Sequence, residues 1–131
     1  MSSLTDKRSP KPTVMKPGKR ERLCQELRKF FAQRLAVSGD TEVTVVDDLI
    51  LLRCKDAVSP AEANLGTMKA GRLLLREVNE RVCRELQPDL DRVLREITGL
   101  HLVDICVGLF LARREKIFLF TMTDRVSSQH R

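Results

Sequence analysis

The stretch from Ser59 to Gly99, SPAEANLGTMKAGRLLLREVNERVCRELQPDLDRVLREITG, constrains the fold of this chain more than any other. It opens on a helix start signal. Ser59 suits the N-cap, Pro60 suits the first helical position, and Glu62 can reach back to the Ser59 amide to close a capping box. It ends on Gly99, the residue type that most readily takes the left-handed conformation after a last helical turn. In between, Leu65, Met68, Leu75, Val78, Val82 and Leu86 keep helical spacing, and Pro88 then ends or bends the helix. A second helix carrying Leu90, Leu94 and Ile97 runs on to Thr98. Gly66 and Gly71 lie inside the first helix at roughly 1 kcal/mol each relative to alanine, which signals close packing against another element.

The flanking segments supply the rest of an α+β fold. Lys19 to Val37 places Leu23, Leu27, Phe30, Phe31 and Leu35 on one side of an amphipathic helix. Ser38-Gly39-Asp40 breaks it, and TEVTVVDDLILLRC follows as a hairpin turning at Asp47-Asp48, whose carboxylates read as turn formers rather than catalysts. After Gly99, Leu100 to Ala112 alternates apolar residues on both faces, which predicts a central strand or one covered by a second chain. In this reading Val103, Ile105, Val107 and Leu109 share one face, and Leu102, Asp104, Cys106 and Gly108 the other. Arg113-Arg114-Glu115 turns into a last strand, Lys116 to Thr123. The order is α-β-β-α-α-β-β: one antiparallel sheet of two hairpins, with helices on one face. Its outer face stays rather apolar, so a homodimer is expected.

Domain limits follow from composition. Residues 1–18 are rich in Ser, Pro and Lys and read as a disordered basic tail, residues 19–124 as a single domain, and residues 125–131 as a loose end. Of the six net positive charges of this 131-residue chain, five fall within residues 1–22, where seven Lys and Arg face two acids. Lys16, Lys19, Arg20 and Arg22 are therefore the candidate contacts to an anionic partner, either lipid or nucleic acid. The absence of Trp and Tyr removes the usual platform for stacking single-stranded bases.

Catalytic and metal chemistry find no support in the residues. Cys24, Cys54, Cys83 and Cys106 form no C-x-x-C pair and sit in apolar patterns, so they read as small buried thiols in a reducing cytoplasm. The only histidines are His101 and His130, neither spaced as a metal ligand nor set beside a nucleophile. No phosphate-cradling glycine motif is present. No apolar run reaches the roughly 20 residues of a membrane helix, and no secretory leader is visible at the start. The chain is expected to be a cytoplasmic non-enzyme without cofactor or metal.

Several of these residues also carry a family resemblance. Ser59-Pro60-Ala61-Glu62, Asn64-Leu65 and Gly71-Arg72, followed by Pro88-Asp89-Leu90, Glu96-Ile97-Thr98-Gly99 and Ile117-Phe118-Leu119-Phe120-Thr121, resemble the hallmark of the MpsC-like family of small bacterial proteins, also called YbcI-like. The similarity spans roughly residues 20 to 124. Departures fall at Val37-Ser38-Gly39-Asp40, where the family usually has a Gly-Lys/Arg-Gly-Pro loop, at Asn79, where arginine is common, and at Val107-Gly108-Leu109, where the strand often ends on an acid. The family is named for a sodium-translocating, membrane-potential-generating system. The resemblance implies an accessory or regulatory protein of a membrane ion or inorganic-carbon translocating system, peripheral to the inner face of the membrane, with integral transport subunits as partners. It supplies no catalytic residue. Ser59, Pro60, Glu62, Asn64, Leu65, Gly71, Arg72, Pro88 and Gly99 form its signature and read first as structural. A nucleic-acid-binding regulator using the basic tail and first helix is the alternative.

Overall fold

The structure is a computed structural model that describes residues 17–37 and 39–126. Its elements are α1 (Pro17–Leu35), β1 (Thr41–Val46), β2 (Leu49–Cys54), α2 (Pro60–Leu65), α3 (Lys69–Thr98), β3 (Leu102–Phe110), a 3-10 turn at Leu111–Arg113 and β4 (Glu115–Met122). The fold is α+β, with the strands in one antiparallel sheet ordered β1-β2-β4-β3. The Asp47-Asp48 hairpin forms as expected. Val46 pairs with Leu49, and Asp47 takes the positive φ of 58° that a short acidic side chain tolerates.

Both long helices cover one face of the sheet. The period of two along the strands sends Ile50, Leu52, Phe118, Phe120 and Met122 inward, and the helical period sends Leu23, Leu27 and Phe31 of α1 and Leu86, Leu90 and Leu94 of α3 against them. Phe31 is the hinge of this core, with its ring centroid 4.7 Å from that of Phe118 and 6.2 Å from that of Phe120. The antiparallel course of α3 over β3 follows from the short connection at Gly99. This glycine has φ 76°, and its amide returns to the Arg95 carbonyl at 2.8 Å.

The two central helices divide elsewhere than the sequence suggests. The chain breaks between Leu65 and Lys69, not at Pro88. Thr67 donates its amide (3.2 Å) and its hydroxyl (2.7 Å) to the Asn64 carbonyl, and Met68 is extended at φ −119°. Periodicity is blind to this turn because Leu65 and Met68 keep the i, i+3 spacing of a helix through it. Pro88, in contrast, lies within the 30-residue α3. Its cost of about 3 kcal/mol in a helix interior is offset by the burial of Leu86, Leu90 and Leu94 on either side of it.

Of the two expectations for strand β3, the central position falls. It is an edge strand, and β2 and β4 are the central ones. Its inner face is apolar because α3 runs along it. A register shift between Leu102 and Asp104 makes Val103 the extra residue of a bulge, and the Val103 carbonyl accepts from Gln87 Nε2 at 3.3 Å. The bulge moves Leu102 onto the face of Ile105, both buried, and leaves Val103 exposed. Asp91 Oδ1 fixes the strand start by accepting from the Leu102 amide at 2.7 Å. That amide, with His101 and Arg95 beside it, holds the Asp91 carboxyl below the usual range.

Two smaller differences concern the ends. Helix α1 begins at Pro17, inside the stretch assigned to the tail; the rest of that stretch, residues 1–16, lies outside the described residues. Val126, assigned to the loose end, is buried, and its amide donates to the Asp47 carbonyl at 2.9 Å. Of the four thiols only Cys54 and Cys83 are buried, and burial pushes each up to about 11. Cys24 is half-buried and Cys106 is exposed on the outer sheet face, where the strand alternation sends it.

Candidate functional site

Seven of the nine signature residues meet at the joint between α2 and α3. Ser59 caps α2 by accepting from the Glu62 amide (3.1 Å), and Glu62 Oε1 accepts from the Ser59 amide (2.9 Å), with Pro60 in the first turn. The same carboxylate reaches the sheet, because Glu62 Oε2 lies 3.1 Å from Lys116 Nζ on β4. Partial burial pushes the Glu62 carboxyl up, but the Ser59 amide and the Lys116 ammonium outweigh it and hold the group below its ordinary value. Lys116 was not legible as a partner, because α2 and β4 are brought together only by the fold.

The glycines of the joint are sites of close approach. A Cβ on Gly71 would stand 1.9 Å from the Leu65 carbonyl oxygen, and one on Gly66 would stand 2.2 Å from a Leu111 methyl. Arg72 closes the joint by donating from Nη1 to the Gly66 carbonyl at 3.0 Å. Asn64 and Leu65 are exposed at the end of α2, contributing through their carbonyls. Pro88 in the middle of α3 and Gly99 at its far end are not part of this cluster.

Removing the Glu62 carboxylate gives a measurable outcome. Glu62→Ala should lower stability by about 1–2 kcal/mol at neutral pH, because it opens the capping box and strands Lys116. Glu62→Gln keeps an oxygen for the Ser59 amide and should lose about half as much. Because the folded-state pKa is depressed, the ionised form stabilises fully above the unfolded value of about 4.3, and that stabilisation is lost as pH falls through the folded value. Urea unfolding of wild type and variants at pH 7 and about pH 3 should show the gap closing in acid; a gap of equal size at both would refute the role of the charge.

Beyond the joint, a groove of about 290 Å³ runs between α3 and the end of β3. Arg72, Leu75, Arg76 and Asn79 line it from the helix, and Val107, Gly108, Leu109 and Leu111 from the opposite side. Four of these positions, Asn79, Val107, Gly108 and Leu109, are places where the sequence departs from the signature of the family it resembles. Arg76 was missed at the sequence level because a lone arginine on an exposed helix face carries no signal.

The outer face of α3 above this groove is apolar as well. Leu73, Leu74 and Val78 are about half exposed, and Met68 is 67% exposed at the start of the helix. The outer sheet face carries half-buried Leu49, Leu51, Ile117 and Leu119, with Leu51 opposite Leu119 in the register. It is crossed by an ion-pair cluster in which Arg53 grips Glu115 through two bonds of 2.9 and 3.0 Å and also faces Glu42. That grip holds the Glu115 carboxyl below its ordinary value.

Three of the four candidate anionic-partner contacts fall among the described residues. Lys16 lies outside the described residues. Lys19, Arg20 and Arg22 lie in the first turns of α1, where Arg20 donates from Nη2 to the Val43 carbonyl at 2.9 Å and so helps dock the helix on β1. Among the described residues no group of three His, Cys, Asp or Glu side chains is placed to hold a metal ion. No helix among them is long and apolar enough to cross a membrane.

No curated protein and no solved structure matches the chain. One family model does, that of the Na+-translocating membrane potential-generating system (MpsC), over residues 16–124. The match takes in α1, the joint with its signature residues, the groove and all four strands. The chain belongs to the MpsC family.

Proposed function

We propose that this chain is a non-enzymatic accessory or regulatory protein of a membrane ion or inorganic-carbon translocating system, and that it acts by protein contact. The observation that carries this reading is an exposed apolar patch on the first half of α3. Gly71, Leu75 and Asn79 face inward, whereas Leu73, Leu74 and Val78 look outward with nothing over them among the described residues. Apolar residues that cluster in the open on one helix face mark an interaction surface. Glu77, Glu80, Arg81 and Arg84 border Leu74 and Val78 with both signs of charge, which suits the polar rim of a protein contact more than a uniformly charged lipid surface.

A pair of substitutions tests it. Leu74→Glu with Val78→Glu changes exposed positions and should leave folding stability within about 1 kcal/mol of wild type. The pair should reduce co-purification with an integral membrane transport subunit at least about tenfold, since a charge in the centre of a contact costs several kcal/mol. Undiminished recovery, or capture of soluble enzymes alone by the wild type, would count against the reading. A second copy of the chain is the expected cover for the apolar outer sheet face; a monomer mass by light scattering at micromolar concentration would remove that part.

A further inference from the structure

The groove between α3 and β3 holds chemistry that a contact through Leu74 and Val78 does not use. Arg72 and Arg76 stand one helical turn apart, and no acid lines the groove with them. Like charges at this spacing repel by a few tenths of a kcal/mol. Where arginines converge elsewhere in the fold they share a carboxylate: Arg34 and Arg92 at Asp89, and Arg53 and Arg113 at Glu115. In the groove Arg72 has the neutral Gly66 carbonyl, and among the described residues Arg76 has no carboxylate.

Asn79 adds a second and independent indication. The residue is only 8% exposed, and its Nδ2 donates to the Leu75 carbonyl at 2.7 Å. Asn79 lines the groove, and its Oδ1 has no protein donor among the described residues. A buried amide oxygen left in that state is destabilising. Around these three polar groups the walls are apolar, made by Leu75, Val107, Leu109 and Leu111.

The geometry points to a binding site for a small amphipathic anion: a compact carboxylate or phosphate head between Arg72 and Arg76, and a short apolar body along Leu75, Val107 and Leu109. A hydroxyl of the ligand, or of a protonated phosphate, completes the set by donating to Asn79 Oδ1. The volume of about 290 Å³ matches the lower end of small-molecule sites. The site is separate from the partner contact proposed above, so either can fail alone.

The test uses the full chain and four probes: hexyl phosphate, hexanoate, hexanol and inorganic phosphate. At least one of the two amphipathic anions should raise the melting temperature at millimolar concentration and shift the backbone amide resonances of Asn79 and Gly108; hexanol and inorganic phosphate should do neither. Comparison of the two anions identifies the head group. Arg76→Gln should weaken the preferred anion about tenfold while leaving the unliganded melting temperature unchanged. The site is overturned by equal responses to inorganic phosphate and hexyl phosphate, or to hexanol and either anion. Unchanged affinity in Arg76→Gln, or no response to either anion at about 10 mM, overturns it equally.

Discussion

Phe118→Ala should destabilise the domain by about 3–5 kcal/mol, the largest single loss expected in this chain. Phe118 is 1% exposed on the central strand β4, and its ring meets that of Phe31 at 4.7 Å. The loss combines the transfer term of a buried aromatic with the cavity left behind, because a four-stranded sheet with two covering helices cannot close over the gap. Thermal unfolding followed by circular dichroism should show a fall of about 12–25 °C. Phe31 comes from α1 and Phe118 from the other end of the chain, so the measurement also tests whether α1 belongs to the core. A drop below about 1 kcal/mol would mean that the helix does not dock as described.

For Gly71→Ala, two principles predict opposite signs. Helix propensity alone favours alanine, by up to about 1 kcal/mol, at this first-turn position of α3. The joint forbids it: the added Cβ would lie 1.9 Å from the Leu65 carbonyl oxygen and 2.7 Å from its carbon, and both are backbone atoms that cannot rotate aside. The expected result is a loss of about 2–3 kcal/mol, since α2 must be pushed off α3 together with the Arg72 bond to Gly66 and the Glu62 tie to Lys116. Chemical denaturation of the single variant decides between the two. A gain in stability would show that α2 does not approach α3, and would dissolve the joint on which the signature residues converge.

The same comparison explains how the candidate site could be half seen in the sequence. Ser59, Pro60 and Glu62 were legible as a capping device because their partners lie within three residues, and the structure reproduces both reciprocal bonds. Gly71 was legible as a point of close packing because a glycine inside a helical pattern needs a reason. What it packs against was not, since the turn at Gly66 to Met68 preserves helical spacing while reversing the approach of α2. The groove was illegible altogether. Its two sides come from segments that meet only when β3 folds back along α3, and neither Arg76 nor Asn79 is unusual on a helix.

Errors in the sequence reading have the same origin. Pro88 was expected to end or bend a helix and does not end it, because the local cost of about 3 kcal/mol is all that sequence displays, whereas the compensating burial of Leu86, Leu90 and Leu94 is tertiary. Strand β3 was expected to be central or covered by a second chain because both its faces are rich in apolar residues, and the first of these fails. It lies at the edge, and a bulge at Val103 resets which of those residues face inward.

The sequence by itself determined the element order, the hairpin at Asp47-Asp48, the cap at Ser59 and the left-handed stop at Gly99, because each depends on contacts or dihedrals within a few residues. It also carried the family, whose signature is a linear pattern. Only the tertiary structure decided that α3 passes unbroken through Pro88, that Glu62 answers to Lys116, and that Arg72, Arg76 and Asn79 share a groove with β3. It decided as well that Leu73, Leu74 and Val78 stand about half exposed among the described residues. The physical reason is that burial and charge pairing are properties of surfaces brought together in space, and a periodic pattern records which residues can be buried without saying what buries them.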